Sequence, residues 1–371
     1  MEQFFDSYGE IVRIKNIVQR FKVCDGEITH VDPINTGRIN STYKITIDHN
    51  DDTTSYMLQR INTFVFNDVS QVMYNAITVS EHLRNKGMDS LEFIYTKDDK
   101  PVYYDGSDVY RMTKFIHAEV FQNITRPKDM RMLGYAVGIF SVGLEDFDAR
   151  ILKDTIPDFH NTQKRYEAFL LSALKNVLKK ENTRAIECEE EIDFVTSNKE
   201  LYSIIVEALL KGDIPLRVTH NDTKLNNVLF DRKTNVPRCL IDLDTVMGGS
   251  ILYDLGDAMR SGGNTSSEDE RNTSKVKIDL ELVKEFLIGF NSAAPNLLTP
   301  KEIELLPLSV LIITLELGIR FLTDYFDGDK YFGITEPDDN LVRARVQFAL
   351  ARDIIKKMDD IKQIVKDVFH N

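Results

Sequence analysis

The chain has 371 residues, 42% hydrophobic and 28% charged, which predicts a globular protein with two lobes or domains and excludes a disordered or fibrous one. Its formal net charge of −13 argues against a nucleic-acid-binding surface, which needs a basic footprint, and gives no support for docking on an anionic membrane. The three cysteines form no C-x-x-C pair and no apolar signal segment begins the sequence, so we expect a cytoplasmic protein without a thiolate zinc site.

The first third of the sequence predicts a small antiparallel sheet with one helix inserted, over 25–116. Residues 1–20 have apolar positions at a helical period. Residues 43–47 and 56–61 alternate as two strands joined by a polar turn. The helical period returns over 69–84, and further short strands follow it.

The rest of the sequence is dominated by helical patterns. These lie at 127–146, 161–181, 190–211, 278–292, 300–326 and 338–367. The apolar stretch Leu305–Leu315 predicts a buried core helix that is too short to span a bilayer, and the polar segment Ser261–Lys275 predicts a mobile loop. We therefore predict an α+β protein with an N-terminal sheet lobe, 1–116, and a larger helical lobe, 117–371, with a ligand in the cleft between them.

The compact segment 216–244, which we call the catalytic island, carries the most informative polar residues. It reads His220-x-Asp222, then Asn227, and then an apolar strand that ends in Asp242-x-Asp244. Phosphoryl transfer to a hydroxyl needs a carboxylate that accepts the proton and hard oxygen ligands for magnesium. Asp222 can supply the first, and Asn227 and Asp242 the second, because a hairpin between the two apolar runs would bring them side by side.

The spacing His220-x-Asp222-x-x-x-x-Asn227, followed by Ile241-Asp242, resembles the catalytic loop and metal-binding aspartate of the aminoglycoside phosphotransferase and choline kinase superfamily. The resemblance implies a protein-kinase-like fold and the cofactors ATP and Mg²⁺. It implies that Asp222 is the catalytic base, that Asn227 and Asp242 bind magnesium, and that His220 supports the loop. The segment Tyr253-Asp254-Leu255-Gly256-Asp257 follows where such enzymes carry a structural aspartate on the next helix.

The segment 35–43 precedes the first clear strand and could cover the ATP phosphates if it folds as a loop between strands. Gly37, Asn40 and Thr42 are its candidate nucleotide contacts. The segment has one glycine, so it departs from the G-x-G-x-x-G pattern of protein kinases, and a simple turn is the alternative.

A cation that pairs with the α- and β-phosphates should lie on the following strand. Arg60 is the best candidate because a strand places it on the same face as Leu58, and Gln59 is the alternative if the register differs. Glu81, on the helix at 69–84, could pair with this cation or could be a solvated helical charge.

Several longer segments resemble the N-acetylhexosamine 1-kinases. They lie at 56–62, 155–162, 224–227, 241–247 and 317–325. This resemblance implies ATP-dependent phosphorylation of the anomeric 1-hydroxyl of N-acetylglucosamine or N-acetylgalactosamine. It makes Thr245, Arg320 and Tyr331 candidate sugar contacts, with Asp222 at the anomeric hydroxyl, and it implies a small sugar as partner and no obligatory protein partner.

Some of these residues have simpler interpretations. Arg320 lies in an otherwise apolar helix and could pair with Glu316 or Asp324 at i±4, and Tyr331 could be a packing residue. His160 is expected to be a buried structural histidine. Asp244 could assist a second metal, hold the sugar or support its loop.

Three rival functions stay open at this point. The first is a kinase of another hydroxyl, of the aminoglycoside, choline or homoserine type. The second is a nucleotide-binding, pseudokinase-like module, although the base and both metal ligands are present. The third is a phosphatase or nuclease built on Asp242-x-Asp244, for which the sequence shows no further motif.

Overall fold

The structure is a computed structural model that describes residues 2–34, 40–49, 52–121, 124, 126–178 and 184–369. It divides into two compact units, Met1–Ala118 and Glu119–Asn371. The first is built on an antiparallel sheet and the second is mainly helical, so the predicted α+β fold class is confirmed.

The first unit contains one antiparallel sheet and two helices. Its elements are α1 (Glu2–Val18), β1 (Glu27–Ile34), β2 (Ser41–His49), β3 (Asp52–Ile61), α2 (Val69–Asn85), β4 (Phe93–Ile94), β5 (Tyr103–Asp105) and β6 (Asp108–Lys114). The strand order is β1-β2-β3-β6-β4, and β5 also pairs with β6. The predicted β2–β3 hairpin is confirmed, whereas β1 was not singled out as a strand by the sequence.

One face of this sheet packs against α1. Leu58 of β3 and Tyr110 of β6 share a buried cluster with Ile14 and Val18 of α1. Side chains alternate between the faces of a strand, so Arg60 lies on the same face as Leu58 and Gln59 lies on the opposite one.

The second unit contains nine helices of the described chain and four short strands. They are α3 (Pro127–Gly143), α4 (Thr162–Leu178), α5 (Glu189–Ser197), α6 (Ile204–Lys211), β7 (Arg217–Thr219), β8 (Val228–Phe230), β9 (Pro237–Leu240), β10 (Met247–Gly249), α7 (Ile251–Gly263), α8 (Leu280–Ala293), α9 (Pro300–Asp327), α10 (Asp339–Lys356) and α11 (Met358–Phe369). The strands form two separate antiparallel pairs, β7 with β10 and β8 with β9.

Two predicted long helices are each broken in the structure. The helix predicted at 190–211 is divided into α5 and α6 because Asn198 ends α5, with its side-chain Nδ2 donating to the carbonyl of Phe194 at 2.7 Å. The helix predicted at 338–367 is divided at Lys357, which lets Ile361 and Val365 of α11 become buried.

Helices α3 and α8 approach each other closely because glycines face the contact. A Cβ on Gly134 would lie 2.0 Å from the carbonyl oxygen of Phe286, and one on Gly289 would lie 2.0 Å from that of Arg131. Any larger side chain at either position would therefore force the two backbones apart.

The apolar stretch Leu305–Leu315 lies within α9. This helix has 28 residues and an 18-residue window of mean hydropathy 2.0, so by length and composition it could cross a membrane, but 83% of that window is buried inside the protein. The prediction of a buried core helix is confirmed. The prediction that it is too short to span a bilayer is wrong, because Pro307 lies inside the helix and does not end it.

The segment predicted as a mobile loop, Ser261–Lys275, is held by ion pairs. Its first three residues complete α7. Asp269 then binds Arg343 at 2.7 Å, and Arg271 binds Asp338 at 2.7 Å, both partners belonging to the region of α10. These contacts indicate an anchored surface segment instead of a free loop.

Candidate active site

The predicted catalytic island folds as two antiparallel strand pairs. Strand β7 leads into the loop 220–224, β8 and β9 form the predicted hairpin, and β10 returns beside β7, with Met247 opposite Thr219. Beyond the β8–β9 pairing, the amide of Ile241 donates to the carbonyl of Asn227 at 2.9 Å. Asp242 therefore follows directly after the residue that faces Asn227, as the hairpin pattern predicted.

Asp222 is held through one of its two carboxylate oxygens. Asn227 Nδ2 donates to Asp222 Oδ2 at 2.9 Å and to its main-chain oxygen at 2.9 Å. Lys224 Nζ lies 2.8 Å from the same Oδ2, and the Asp222 side chain is 30% exposed. These two donors leave Oδ1 as the carboxylate oxygen that can accept a proton from a ligand.

The protonation of Asp222 is set by two opposing effects. Its removal from water acts to raise the pKa, but the ion pair with Lys224, the nearby His220 and the hydrogen bond from Asn227 together hold the pKa below its ordinary value. The group is therefore a carboxylate at neutral pH, which is the state that a general base needs.

Lys224 lies at the candidate site, although the sequence analysis gave it no role. Its desolvation acts to lower the pKa, but the carboxylates of Asp222, Asp242 and Asp257 outweigh this effect and raise the pKa. The ammonium group is thus a fixed positive charge at the point where the acidic residues converge. The signal in the sequence was a lysine two residues after the candidate base.

Asp254, near the start of α7, fixes the backbone of the loop 220–224, which we call the catalytic loop after its predicted role. Its carboxylate accepts the amide of His220 at 2.8 Å and that of Asn221 at 2.6 Å, and its carbonyl accepts the hydroxyl of Thr223 at 2.6 Å. Burial raises the pKa of Asp254, and His220 and the two amides oppose this rise. Asn221 has a φ of 64°, a backbone conformation that asparagine tolerates and that these hydrogen bonds stabilise.

His220 joins the catalytic loop to the strand that precedes Asp242. Its Nε2 lies 2.9 Å from the carbonyl oxygen of Ile241, and its ring packs edge-on against Phe140, with centroids 5.7 Å apart. The side chain is fully buried. This is the geometry expected of a residue that supports the loop and does not itself touch a ligand.

Thr245 contacts the same loop from the other side. Its hydroxyl donates to the carbonyl of His220 at 2.8 Å, and its carbonyl accepts Nδ2 of Asn221 at 2.8 Å. Thr245 therefore lies beside the catalytic loop and also braces it. Asp244 is buried, at 2% exposure, next to Thr245.

The side-chain oxygens of Asn227 and Asp242 suit a magnesium ion whose other ligands would be phosphate oxygens. Asn227 uses its Nδ2 on Asp222, so its Oδ1 is directed away from that bond, and Asp242 adds a carboxylate. Among the residues that the structure describes, no three His, Cys, Asp or Glu side chains form a metal cluster. Magnesium is commonly bound by one or two carboxylates together with substrate phosphates, so this donor set suits it.

Arg320, on α9, is enclosed by aromatic rings. Its guanidinium carbon lies 4.8 Å from the ring centroid of Phe159, 5.5 Å from that of Phe332 and 5.8 Å from that of Tyr331. In the described parts of the chain, no ion pair joins Arg320 to Glu316 or Asp324, which have other partners. We call Arg320, Phe159, Tyr331 and Phe332 the arginine–aromatic cluster.

A buried polar group connects this cluster to α7. Glu316 accepts the hydroxyl of Thr162 at 2.5 Å and binds His160 Nδ1 at 2.7 Å. Desolvation acts to raise the pKa of Glu316, but contact with His160, the charge of Arg320 and the hydrogen bond from Thr162 together lower it. The His160 side chain is 8% exposed and its ring lies 5.0 Å from that of Tyr253, so the prediction of a buried structural histidine is confirmed. Because Tyr253 precedes Asp254, the cluster and the catalytic loop are attached to the same turn of α7.

The nucleotide-side residues lie in the first unit. Gly37 is outside the described residues, in the connection between β1 and β2. Asn40 Oδ1 accepts the amide of Asn62 at 2.9 Å, which ties the end of that connection to β3. Thr42 Oγ1 lies 3.4 Å from Gln59 Nε2.

Arg60 and Glu81 are not brought together. Arg60 lies on the α1 face of the sheet, where Nη2 donates to Ser41 at 3.1 Å and Nη1 lies 3.6 Å from Asp108. Glu81 is exposed on α2, and no ion pair between it and Arg60 occurs in the described part of the unit. On the other face, the buried Arg111 donates to Gln59 Oε1 at 2.9 Å, so this face also carries a cation, one that the sequence analysis did not consider.

Comparison with known proteins identifies the family of the chain. Residues 30–275, more than half of the chain, match the profile of the phosphotransferase enzyme family. The chain belongs to this family. All the residues placed at the catalytic loop and the β8–β9 hairpin lie within the matched range.

Solved structures of phosphotransferases share the fold at low sequence identity. An aminoglycoside phosphotransferase from Alicyclobacillus acidocaldarius is 14% identical, with 95% of this chain and 96% of that chain covered and a TM-score of 0.63. Spectinomycin phosphotransferase in complex with ADP and spectinomycin is 13% identical, with coverages of 90% and 94% and a TM-score of 0.57. Choline kinase from Cryptosporidium parvum is 16% identical, with coverages of 92% and 93% and a TM-score of 0.54. The predicted kinase-like fold is confirmed.

Proposed function

We propose that this phosphotransferase is a magnesium- and ATP-dependent kinase that phosphorylates the anomeric 1-hydroxyl of N-acetylhexosamines. The observation that carries the proposal is the state of Asp222. It is an ionised carboxylate with one oxygen fixed by Asn227 and Lys224 and the other available, in a loop anchored by Asp254.

The chain's own residues account for the proton transfer. Asp222 Oδ1 orients the acceptor hydroxyl and takes its proton, the hydroxyl oxygen forms the bond to the γ-phosphorus of ATP, and the bond to the β,γ-bridging oxygen breaks to release ADP. Lys224, beside Oδ2, keeps Asp222 ionised until the proton arrives. Asn227 and Asp242 would hold Mg²⁺, which neutralises charge on the phosphates when bound.

We assign nucleotide binding to residues 1–116, which lie within the first unit, and catalysis and sugar binding to residues 117–371. A structurally similar spectinomycin phosphotransferase binds ADP, which supports nucleotide use here. Asn40 and Thr42 flank the β1–β2 connection that would cover the phosphates. Because Arg60 already contacts Ser41 and Asp108, the Gln59–Arg111 pair on the opposite face is the second candidate for phosphate contact.

The hydrogen-bond donors of the arginine–aromatic cluster support a neutral acceptor. Arg165 lies near Arg320, and desolvation together with the positive charge of Arg320 lowers the pKa of Arg165. Glu316 and Asp158 offset part of this positive charge, so charge alone does not select the acceptor. Arg320 and Tyr331 can donate hydrogen bonds to sugar hydroxyls and an acetamido carbonyl, which suits a neutral acceptor. We assign Arg320, Tyr331 and Thr245 as the sugar contacts.

The test is a magnesium-dependent assay of ADP formation with a panel of acceptors. The panel contains N-acetylglucosamine, N-acetylgalactosamine, glucose, galactose, kanamycin and choline, and the product is located by phosphorus NMR. We expect turnover with the two N-acetylhexosamines and a phosphate on carbon 1. Turnover only with kanamycin or choline would keep the kinase and contradict the sugar assignment, and nucleotide binding without turnover would favour the pseudokinase-like module. The cytoplasmic location and the absence of nucleic-acid, membrane or obligatory protein partners stay predictions from composition.

A further inference from the structure

Asp324 is a buried carboxylate that accepts three of its four side-chain hydrogen bonds from one surface segment. Its Oδ1 accepts the amides of Lys330 and Tyr331, each at 2.9 Å. Its Oδ2 accepts the amide of Phe332 at 2.9 Å and the side-chain Nδ2 of Asn340 at 3.0 Å. Asp324 is 6% exposed, so its two buried oxygens need these four donors in place of water.

The same carboxylate lies one turn after Arg320 on α9. Gly328 ends the helix in the left-handed conformation, with a φ of 92°, and reverses the chain. The three consecutive amides of residues 330–332 then reach Asp324, and the rings of Tyr331 and Phe332 reach Arg320. Helix α9 therefore supplies both the guanidinium group of Arg320 and the carboxylate of Asp324, which anchors the rings around that guanidinium.

We propose that Asp324 is a positioning residue that holds Tyr331 and Phe332 over Arg320 and thereby sets the affinity for the acceptor. This inference rests on the proposed function, because it takes the arginine–aromatic cluster as the acceptor subsite. Asp324 touches no reacting atom and acts through the segment 330–332. This also explains why, within the described residues, Arg320 packs against aromatic rings and forms no ion pair with Asp324, since the Asp324 carboxylate already accepts backbone amides.

Two further contacts stabilise the ends of the segment and make its position depend on a connected network. Asn340 Nδ2 also donates to Asp329 Oδ1 at 2.9 Å, just before the segment. Arg343 donates to the carbonyl of Gly333 at 2.8 Å, just after it. With both ends fixed, loss of the central anchor should displace the rings without unfolding α9 or α10.

The test compares Asp324→Asn with Asp353→Asn, a matched control. Asp353 is also 6% exposed and also accepts a backbone amide, that of Ile278 at 2.9 Å, but it lies outside the candidate site. Hydrogen exchange of residues 328–335 is measured in the absence of substrate, and KM and kcat are measured for acceptor and ATP. Asn340→Ala, which removes one donor to Asp324, is the second variant if Asp324→Asn does not fold.

We expect Asp324→Asn to accelerate exchange of the amides of 330–332 and to raise KM for the acceptor by about tenfold or more, with KM for ATP and kcat nearly unchanged. Asp353→Asn should change none of these values. Unchanged exchange at 330–332 would overturn the positioning role, and faster exchange with an unchanged acceptor KM would overturn its link to the acceptor. If the wild-type protein turns over no acceptor, the proposed function fails, while the exchange result still decides whether Asp324 positions the segment.

Discussion

Replacing Asp254 with asparagine should disable the catalytic loop without touching a reacting group. The carboxylate accepts the amides of His220 at 2.8 Å and Asn221 at 2.6 Å, one on each oxygen. Asparagine keeps one side-chain oxygen, but its side-chain NH2 group then faces the second backbone N–H. One charge-assisted hydrogen bond is therefore lost, and a buried backbone donor is left unsatisfied. A loss of this kind is about 2 kcal/mol. If the whole of this free energy is lost from the transition state because Asp222 is displaced, kcat falls about 30-fold.

The assay is steady-state kinetics with thermal unfolding on the same preparations. Asp254→Asn should lower kcat more than it changes KM for either substrate, because the loop positions the base and not the bound substrates. Asp353→Asn is again the control, since it should lower the melting temperature with kcat unchanged. If Asp254→Asn lowers the melting temperature as the control does and retains kcat within about twofold, the loop does not depend on Asp254 and the reasoning is wrong.

Three other changes test separate parts of the account. Lys224→Met should lower kcat and move the acidic limb of the pH profile of kcat/KM to higher pH, because Lys224 lowers the pKa of Asp222; an unmoved limb would contradict that assignment. Arg320→Lys should raise KM for the acceptor with little change in kcat, measured by initial rates, since a lysine ammonium cannot stack as the planar guanidinium does. Gly289→Ala should reduce the free energy of unfolding by about 1–3 kcal/mol in urea titrations with kcat retained, because its Cβ would lie 2.0 Å from the carbonyl oxygen of Arg131.

The catalytic island could be predicted from the sequence because its geometry is local. Two short apolar runs separated by a turn specify a hairpin, and the hairpin places Asp242 beside Asn227. Asp222 needs only the intervening loop to reach Asn227, and the structure shows that hydrogen bond. Spacing along the chain was therefore sufficient for these residues.

The remaining parts of the site depend on contacts between distant segments, which spacing does not encode. The face of β3 that Arg60 occupies was predictable, but the covering of that face by α1 was not. The rings that contact Arg320 are placed by the chain reversal at Gly328 and by the hydrogen bonds that Asp324 accepts from backbone amides. Helical periodicity also could not show the break at Lys357, since both halves of the pattern are helical.

The central claim is that Asp222 is the base of an N-acetylhexosamine kinase, and one comparison tests it most directly. Formation of sugar 1-phosphate from N-acetylglucosamine or N-acetylgalactosamine, with ATP and magnesium, is measured for the wild-type protein and for Asp222→Asn, with ADP affinity as the check on folding. The account predicts product with the wild-type protein and a loss of kcat by about a thousandfold or more in the variant, with ADP still bound. Equal turnover by both proteins, or no sugar phosphate from a wild-type protein that binds ADP, would contradict it.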